Sequence, residues 1–232
     1  DVAVNANADI VKFQTFKAEN LVTKNAKKAK YQKQENLKNE SQFEMLKKLE
    51  IKLEDHKKLI SYCRKKKILF LSSPFDLESI NLSNKLGLKI FKVPSGEITN
   101  FSFLRNIGKL KKKVILSTGM ANIKEIEDAL KVLIKFGAKK KDICVLQCNS
   151  EYPSPFKDIN LRAMNTIAKK FNVNVGLSDH SVGIEVPIAA VAMGARIIEK
   201  HVTLNKNLIG PDHRASIDFK EFLKMVKSIR NI

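Results

Sequence analysis

The stretch that decides the fold is Gly176-Leu177-Ser178-Asp179-His180, answered by Ile197-Ile198-Glu199-Lys200-His201. Each follows an apolar run, Val173 to Leu177 and then Ala195 to Ile198, that breaks abruptly into titratable residues. Such a run reads as a buried parallel strand whose C-terminal end carries the chemistry. Between the two, Ile184 to Met193 is a mostly apolar helix closed by Gly194, at the position where a left-handed residue ends a helix. Strand, helix, strand at this spacing is a βαβ unit. The two strands are therefore expected to be parallel and adjacent, with His180 and His201 at one mouth.

The same alternation runs outward through the chain. Asp9 to Gln14, Ile68 to Leu71, Lys89 to Val93, Val114 to Leu116 and Ile143 to Gln147 read as further strands. Helices are expected at Gln42 to Leu49, Glu54 to Lys66, Leu77 to Leu86, Phe101 to Ile107, Ile123 to Phe136, Leu161 to Lys170 and Phe219 to Arg230. Ser41 and Glu44 form a capping box for the first of these. The polar segment Lys17 to Lys38 lacks periodicity and reads as a long loop over the mouth. The residues ahead of the first strand look like the last turns of a helix. Strict β/α alternation predicts an α/β fold, a (β/α)8 TIM barrel lacking its first strand, formed by residues 1–232 as one N-terminally truncated domain. An open, doubly wound sheet is the alternative. No Gly-x-Gly-x-x-Gly or P-loop motif follows any strand, and polar residues end every strand, which favours the barrel.

Length and composition agree with one globular core, since the chain has 232 residues of which 44% are hydrophobic. No apolar run reaches the length of a membrane span, and the first residues lack the pattern of a signal peptide. Cys63, Cys144 and Cys148 have no metal-type spacing, and the last two sit in an apolar strand. A cytoplasmic, reducing location follows as an expectation. The net charge of +19 raises the question of nucleic acid. The lysines, however, are dispersed over helix faces with few interleaved aromatics, so neither a nucleic acid nor a membrane is expected as partner.

The expected mouth gathers Lys12, Gln14, Ser73, Lys92, Ser95, Glu97, Ser117, Asn149, Ser150, Tyr152, Ser178, His180, Glu199 and His201, with Asp212 on the last loop. Lysines and hydroxyls converging from separate strands suit a small, multiply charged anion such as a phosphorylated carboxylate. His180 and His201 suit an open divalent-metal site, with water and substrate oxygen as the remaining ligands. Glu97, on a Pro-Ser-Gly-Glu turn, is the candidate general acid–base.

Lys12-Phe13-Gln14-Thr15-Phe16-Lys17, Ser73-Pro74-Phe75-Asp76, Lys92-Val93-Pro94-Ser95-Gly96-Glu97, Leu116-Ser117-Thr118-Gly119-Met120, Glu151-Tyr152-Pro153, Gly176 to His180, Glu199-Lys200-His201 and Gly210-Pro211-Asp212-His213 together resemble the N-acetylneuraminate (sialic acid) synthase family. The resemblance implies condensation of phosphoenolpyruvate with N-acetylmannosamine or a related N-acetylated amino sugar, releasing phosphate. It implies a manganese or magnesium ion on His180 and His201. It further implies that Lys12, Ser73, Lys92, Ser95, Ser117 and Ser178, helped by Asn149 or Ser150, hold phosphoenolpyruvate. Gln14, Tyr152 and Asp212 are then expected to contact the sugar, and Glu97 to handle protons. In the same family a first strand precedes the segment seen here, and a C-terminal antifreeze-like domain, absent from 1–232, reaches into a partner subunit's site; a homodimer of the full-length protein is expected. Two further acceptors and activities stay open: a diacetamido-trideoxyhexose, giving legionaminic- or pseudaminic-type acids, and a metal-dependent barrel hydrolase.

Overall fold

A computed structural model describes residues 1–29, 32 and 40–232. In chain order the elements are α1 (Val2–Asn5), β1 (Ile10–Thr15), α2 (Ala18–Leu21), α3 (Gln42–Leu49), α4 (Leu53–Lys65), β2 (Leu69–Pro74), α5 (Leu77–Lys85), β3 (Ile90–Val93) and α6 (Phe101–Lys109). They continue with β4 (Lys113–Ser117), α7 (Ile123–Lys135), β5 (Ile143–Cys148), α8 (Arg162–Phe171), β6 (Asn174–Asp179), α9 (Glu185–Ala192), β7 (Ile198–Lys200) and α10 (Phe219–Arg230). Among the described residues every ladder is parallel. β1 pairs with β2, and β3 to β7 form one sheet in sequence order.

The sheet curls into a half-barrel. Leu71, Ile115, Cys144 and Leu146 form one buried cluster that Ile10, Ile90 and Ile197 also join. These residues come from β1, β2, β3, β4, β5 and the approach to β7, so the two ends of the strand series meet at one inner layer. An open sheet could not bring its edges to a common cluster, and the doubly wound alternative is thereby excluded. The opposite faces of the strands pack against the helices in the main core, where Phe91, Leu104, Ile107, Leu116, Leu133, Ile143 and Met164 are almost fully buried. Helix starts follow the sequence signals: Ser41, Asn122 and Asp218 each close a capping box, and Asp76 caps α5 through the Ser79 amide.

Two local departures from expectation have physical causes. The strand expected over Ala195 to Ile198 is observed at Ile198–Lys200, because its ladder with β6 runs on through Glu199 and Lys200 into the polar rim. The segment Lys17 to Lys38 is not all loop: Ala18–Leu21 is a short helix with Ala18 fully buried, while residues 30, 31 and 33–39 lie outside the described residues. Gly194 has φ +95°, the left-handed cap its position after α9 requires.

Candidate active site

Side chains alternate along a strand, so stepping two residues from the inner apolar layer reaches a second inward-facing layer. Ile10 leads to Lys12, Leu71 to Ser73, Ile90 to Lys92, Ile115 to Ser117, Leu146 to Cys148, Gly176 to Ser178 and Ile197 to Glu199. All seven line one pocket of about 290 Å³. One more step along β6 and β7 reaches His180 and His201, which line the same pocket above that layer.

The lower layer is a buried charge network. Lys92, 3% exposed, donates to Ser117 Oγ at 2.7 Å and lies 3.6 Å from Glu199 Oε1. Lys12 Nζ lies 3.7 Å from Glu199 Oε2, and Ser178 Oγ donates to Glu199 Oε1 at 2.7 Å. Burial acts to raise the Glu199 pKa, but Lys12, Lys92 and the Ser178 hydroxyl outweigh it and hold the carboxyl down at about 2. Burial acts the other way on Lys92, whose pKa is lowered despite Glu199. Two ammonium groups thus share one carboxylate, leaving net positive charge under a cavity. Ser73 Oγ is buried there with no hydrogen-bond partner. A buried hydroxyl left unpaired costs about 1–3 kcal/mol, a cost that a ligand oxygen removes.

The upper layer is aromatic and imidazole. The His180 and His201 ring centroids are 5.4 Å apart at 90°, and the Tyr152 ring lies 4.0 Å from His180. His180 Nδ1 donates to the Asn149 carbonyl at 2.7 Å, which places the lone pair on Nε2. Burial lowers its pKa to about 4, so the ring is neutral at physiological pH. His201 Nδ1 is 3.5 Å from Asp212 Oδ2. A neutral imidazole oriented by a backbone carbonyl, facing a second imidazole, is a donor set that fits a divalent metal. Among the described residues no group of three or more His, Cys, Asp or Glu side chains forms a closed metal cage. The pair fits an open site completed by water and substrate.

Of the residues expected at the mouth, Lys12, Gln14, Ser73, Lys92, Ser95, Ser117, Tyr152, Ser178, His180, His201 and Asp212 line this pocket. Ser150 is not among its lining residues, but its hydroxyl approaches Gly119 beside Ser95: a Cβ on Gly119 would lie 2.8 Å from Ser95 Oγ and 3.1 Å from Ser150 Oγ. Asn149 serves through its carbonyl, while its side-chain amide donates to Asp158 O. Glu97 also stands outside the lining, half-buried, accepting from Asn100 Nδ2 at 2.7 Å. Asp179 and Lys200 occupy the alternate strand positions and pair with each other, Lys200 also reaching the Ser181 carbonyl.

Sequence reasoning placed Glu199 at the mouth without a role and gave none to Cys148; the period-two step from Ile197 and Leu146 would have found both. It also missed an apolar wall. Phe16, Leu21, Met45, Leu46, Leu49 and Phe75 line the same pocket on one side. Two contacts join α2 to α3: Lys47 reaches Glu19 at 2.6 Å, and Glu50, at the end of α3 and itself 3.2 Å from Lys47, accepts from the Ala18 amide at 2.9 Å.

A family model described as NeuB family matches residues 1–232. The chain belongs to the NeuB family. The N,N'-diacetyllegionaminic acid synthase of Campylobacter jejuni is 54% identical over 232 residues, all of this chain and 70% of that protein. A Legionella pneumophila protein of the same name is 46% identical over 231 residues, 99% of this NeuB chain and 65% of its own length. The crystal structure of an N-acetylneuraminic acid synthetase from Leptospira borgpetersenii serovar Hardjo-bovis, 33% identical, superposes with a TM-score of 0.86 over 99% of this chain and 75% of that one. This NeuB chain therefore spans about two thirds of the Legionella relative's length, and its parallel β/α arrangement is that of the solved relative.

Proposed function

We propose that this NeuB chain is the catalytic portion of an enzyme that condenses phosphoenolpyruvate with an N-acetylated amino sugar, forming a nonulosonic acid and phosphate. The observation that carries the reading is the stack of two layers: a net-positive floor with an unsatisfied Ser73 hydroxyl, directly beneath two facing imidazoles. The names of the relatives support the same chemistry.

In this reading Lys12, Lys92, Ser73, Ser117 and Ser178 hold the phosphate and carboxylate of phosphoenolpyruvate, with Ser95, Asn149 and Ser150 closing the edge. Gln14, Tyr152 and Asp212 orient the sugar. His180 and His201 hold a divalent cation, manganese or magnesium, which supplies Lewis-acid polarisation of the sugar aldehyde when bound. The methylene carbon C3 of phosphoenolpyruvate bonds to the aldehyde carbon, whose oxygen takes up a proton, leaving C2 as an oxocarbenium. Water adds to the former enol C2, and loss of phosphate from that carbon leaves the keto acid. Glu97, from the rim, is the candidate to move the protons. The Lys12–Glu199–Lys92 arrangement fixes both amino groups beneath the cavity before substrate arrives, so little reorganisation accompanies binding.

We further read the half-barrel as strands two to eight of an eight-stranded barrel. A cavity of about 780 Å³ lies between β1 and β7, lined by Ile10, Val11, Ile197, Ile198 and Val226 among others, and supports this reading as the place of a further parallel strand. The complete enzyme acts as a homodimer in the cytoplasm and needs neither nucleic acid nor membrane. Among the described residues no helix is long and apolar enough to cross a bilayer.

The test is phosphate release by the complete protein with manganese, phosphoenolpyruvate and a panel of acetamido sugars. Release that depends on a sugar supports the synthase. Release without any sugar, or turnover of an ester with no phosphoenolpyruvate, moves the assignment to a metal-dependent hydrolase. His201→Ala is expected to lose both turnover and tight manganese binding, as read by calorimetry.

A further inference from the structure

The net charge of +19 is unevenly placed. Every strand runs toward the mouth, so each turn from a helix into the next strand lies at the opposite end of the half-barrel. Those turns, 64–69, 85–90, 109–113, 135–143 and 169–174, hold three runs of three lysines, 65–67, 111–113 and 139–141, and Asp142 is their only carboxylate. The loops on the mouth side carry acids instead, Asp76, Glu97, Glu151, Asp158 and Asp212 among them. Lysines that look dispersed along the sequence are gathered by the parallel topology onto one face.

Helix ends account for part of this pattern, since a lysine in a last turn offsets the helix dipole. They do not account for 139–141, which lies past the end of α7 at Lys135. Lys139, Lys140 and Lys141 are all exposed, and among the described residues Lys66 is the one lysine of these turns in an ion pair, 3.1 Å from Asp1. The array itself points to the chemistry of a partner. It spreads in two dimensions over five neighbouring turns, where a single polyanionic strand meets only one line of them. Arg64 is its single arginine, so it offers mobile point charges and few of the planar forks that grip individual phosphates. Phe136 and Phe171, the aromatic residues of these turns, are partly buried and leave no platform for stacked bases. Leu69, 45% exposed, and Ile134, 40% exposed, stand among the lysines as apolar side chains that contact with lipid headgroups covers. We propose that this face seats the enzyme on an anionic lipid bilayer, headgroup phosphates meeting the lysines while the mouth opens away from the membrane. The reaction takes no part in this contact, so the proposal stands apart from the proposed condensation.

The test is co-sedimentation of the complete protein with vesicles of equal parts phosphatidylglycerol and phosphatidylcholine, and with phosphatidylcholine alone. Binding is expected only to the anionic vesicles, and it should fall as sodium chloride rises. A lysine at an anionic surface is worth about 5-fold in binding, so Lys139→Gln, Lys140→Gln and Lys141→Gln combined are expected to weaken it about 100-fold. Lys124→Gln, Lys157→Gln and Lys206→Gln, which remove the same charge from the mouth side, are expected to change it by less than about 5-fold. Circular dichroism checks that each variant is folded, and a second basal set, Lys85→Gln, Lys89→Gln and Lys169→Gln, replaces the first if it is not. No binding to anionic vesicles overturns the proposal, as does equal loss in the basal and mouth-side variants. Stronger capture by a DNA duplex than by vesicles presenting the same phosphate concentration also overturns it. Absence of phosphate release in the wild type bears on the condensation alone.

Discussion

The two ring nitrogens of His180 have separate work. Nδ1 is committed to the Asn149 carbonyl and Nε2 is left with its lone pair toward the pocket, so the backbone after β5 decides the tautomer on β6. The neighbouring Lys92 is equally constrained, held between Ser117 and Glu199 with its pKa lowered by burial. Lys92→Ala is expected to raise the KM for phosphoenolpyruvate by about 10- to 100-fold, the worth of a charge-assisted contact, with little change in the sugar KM; steady-state kinetics with each substrate varied checks it. The cysteines are inert for a related reason. Burial pushes the Cys144 thiol up to about 12 and raises Cys148 and Cys63 as well, so thiolate is scarce near neutrality. Iodoacetamide at mildly alkaline pH is expected to leave all three unmodified until denaturant is added, as read by intact mass. At this scale the histidine pair was legible because a strand ending in a histidine is conspicuous in one dimension. Glu199's partnership was not, since Lys12 and Lys92 come from strands far away in the chain, and only the curl of the sheet brings them together.

Gly176 shows how an element is fixed by its neighbours. A Cβ there would stand 2.7 Å from Leu146 Cδ2 and would collide with the Ile197 carbonyl oxygen, so β5, β6 and β7 approach as they do only over a bare backbone. Gly176→Ala is expected to destabilise the protein by about 1–3 kcal/mol, as for other overpacked cores, and to separate the two histidine strands. Urea denaturation measures the first effect, and weakened manganese binding at a urea concentration where the fold persists reads the second. The pairing of Asp179 with Lys200 across β6 and β7, on the face away from the pocket, closes the same junction from outside. Most elements were readable in sequence because β/α alternation repeats the same signals: apolar run, polar end, capped helix, glycine. The exceptions had weak signals. α2 is four residues long with no side-chain cap, and β7 runs on past its apolar half into Glu199 and Lys200, where hydropathy stops marking it.

For the whole molecule the open seam between β1 and β7 is a large cavity with many apolar lining residues, and contiguous surface of that kind binds other apolar groups. Residues 1–232 alone are expected to enhance the fluorescence of an anionic hydrophobic dye strongly, and the complete protein to do so weakly, if a further strand occupies the seam. Equal enhancement by both would place the seam at the surface of the finished protein. Sequence composition gives the net charge of +19 but not which basic side chains find acidic partners. Some of the lysines pair with surface carboxylates, as in Lys124 with Asp128, Lys131 with Glu127 and Lys206 with Glu221, and the excess of basic residues over acidic ones is what the net charge counts.

The pair that ties α3 to α2 beside the mouth, Lys47 with Glu19, exposes both side chains to solvent, where it is weak and screened by salt. The acceptor sugar carries no charge, so ionic strength has no direct hold on its binding. Its KM should nevertheless climb as sodium chloride is added, and Lys47→Met should give the high-salt value in dilute buffer. A neutral substrate would then report the salinity around the enzyme, through the fastening of the helix beside it.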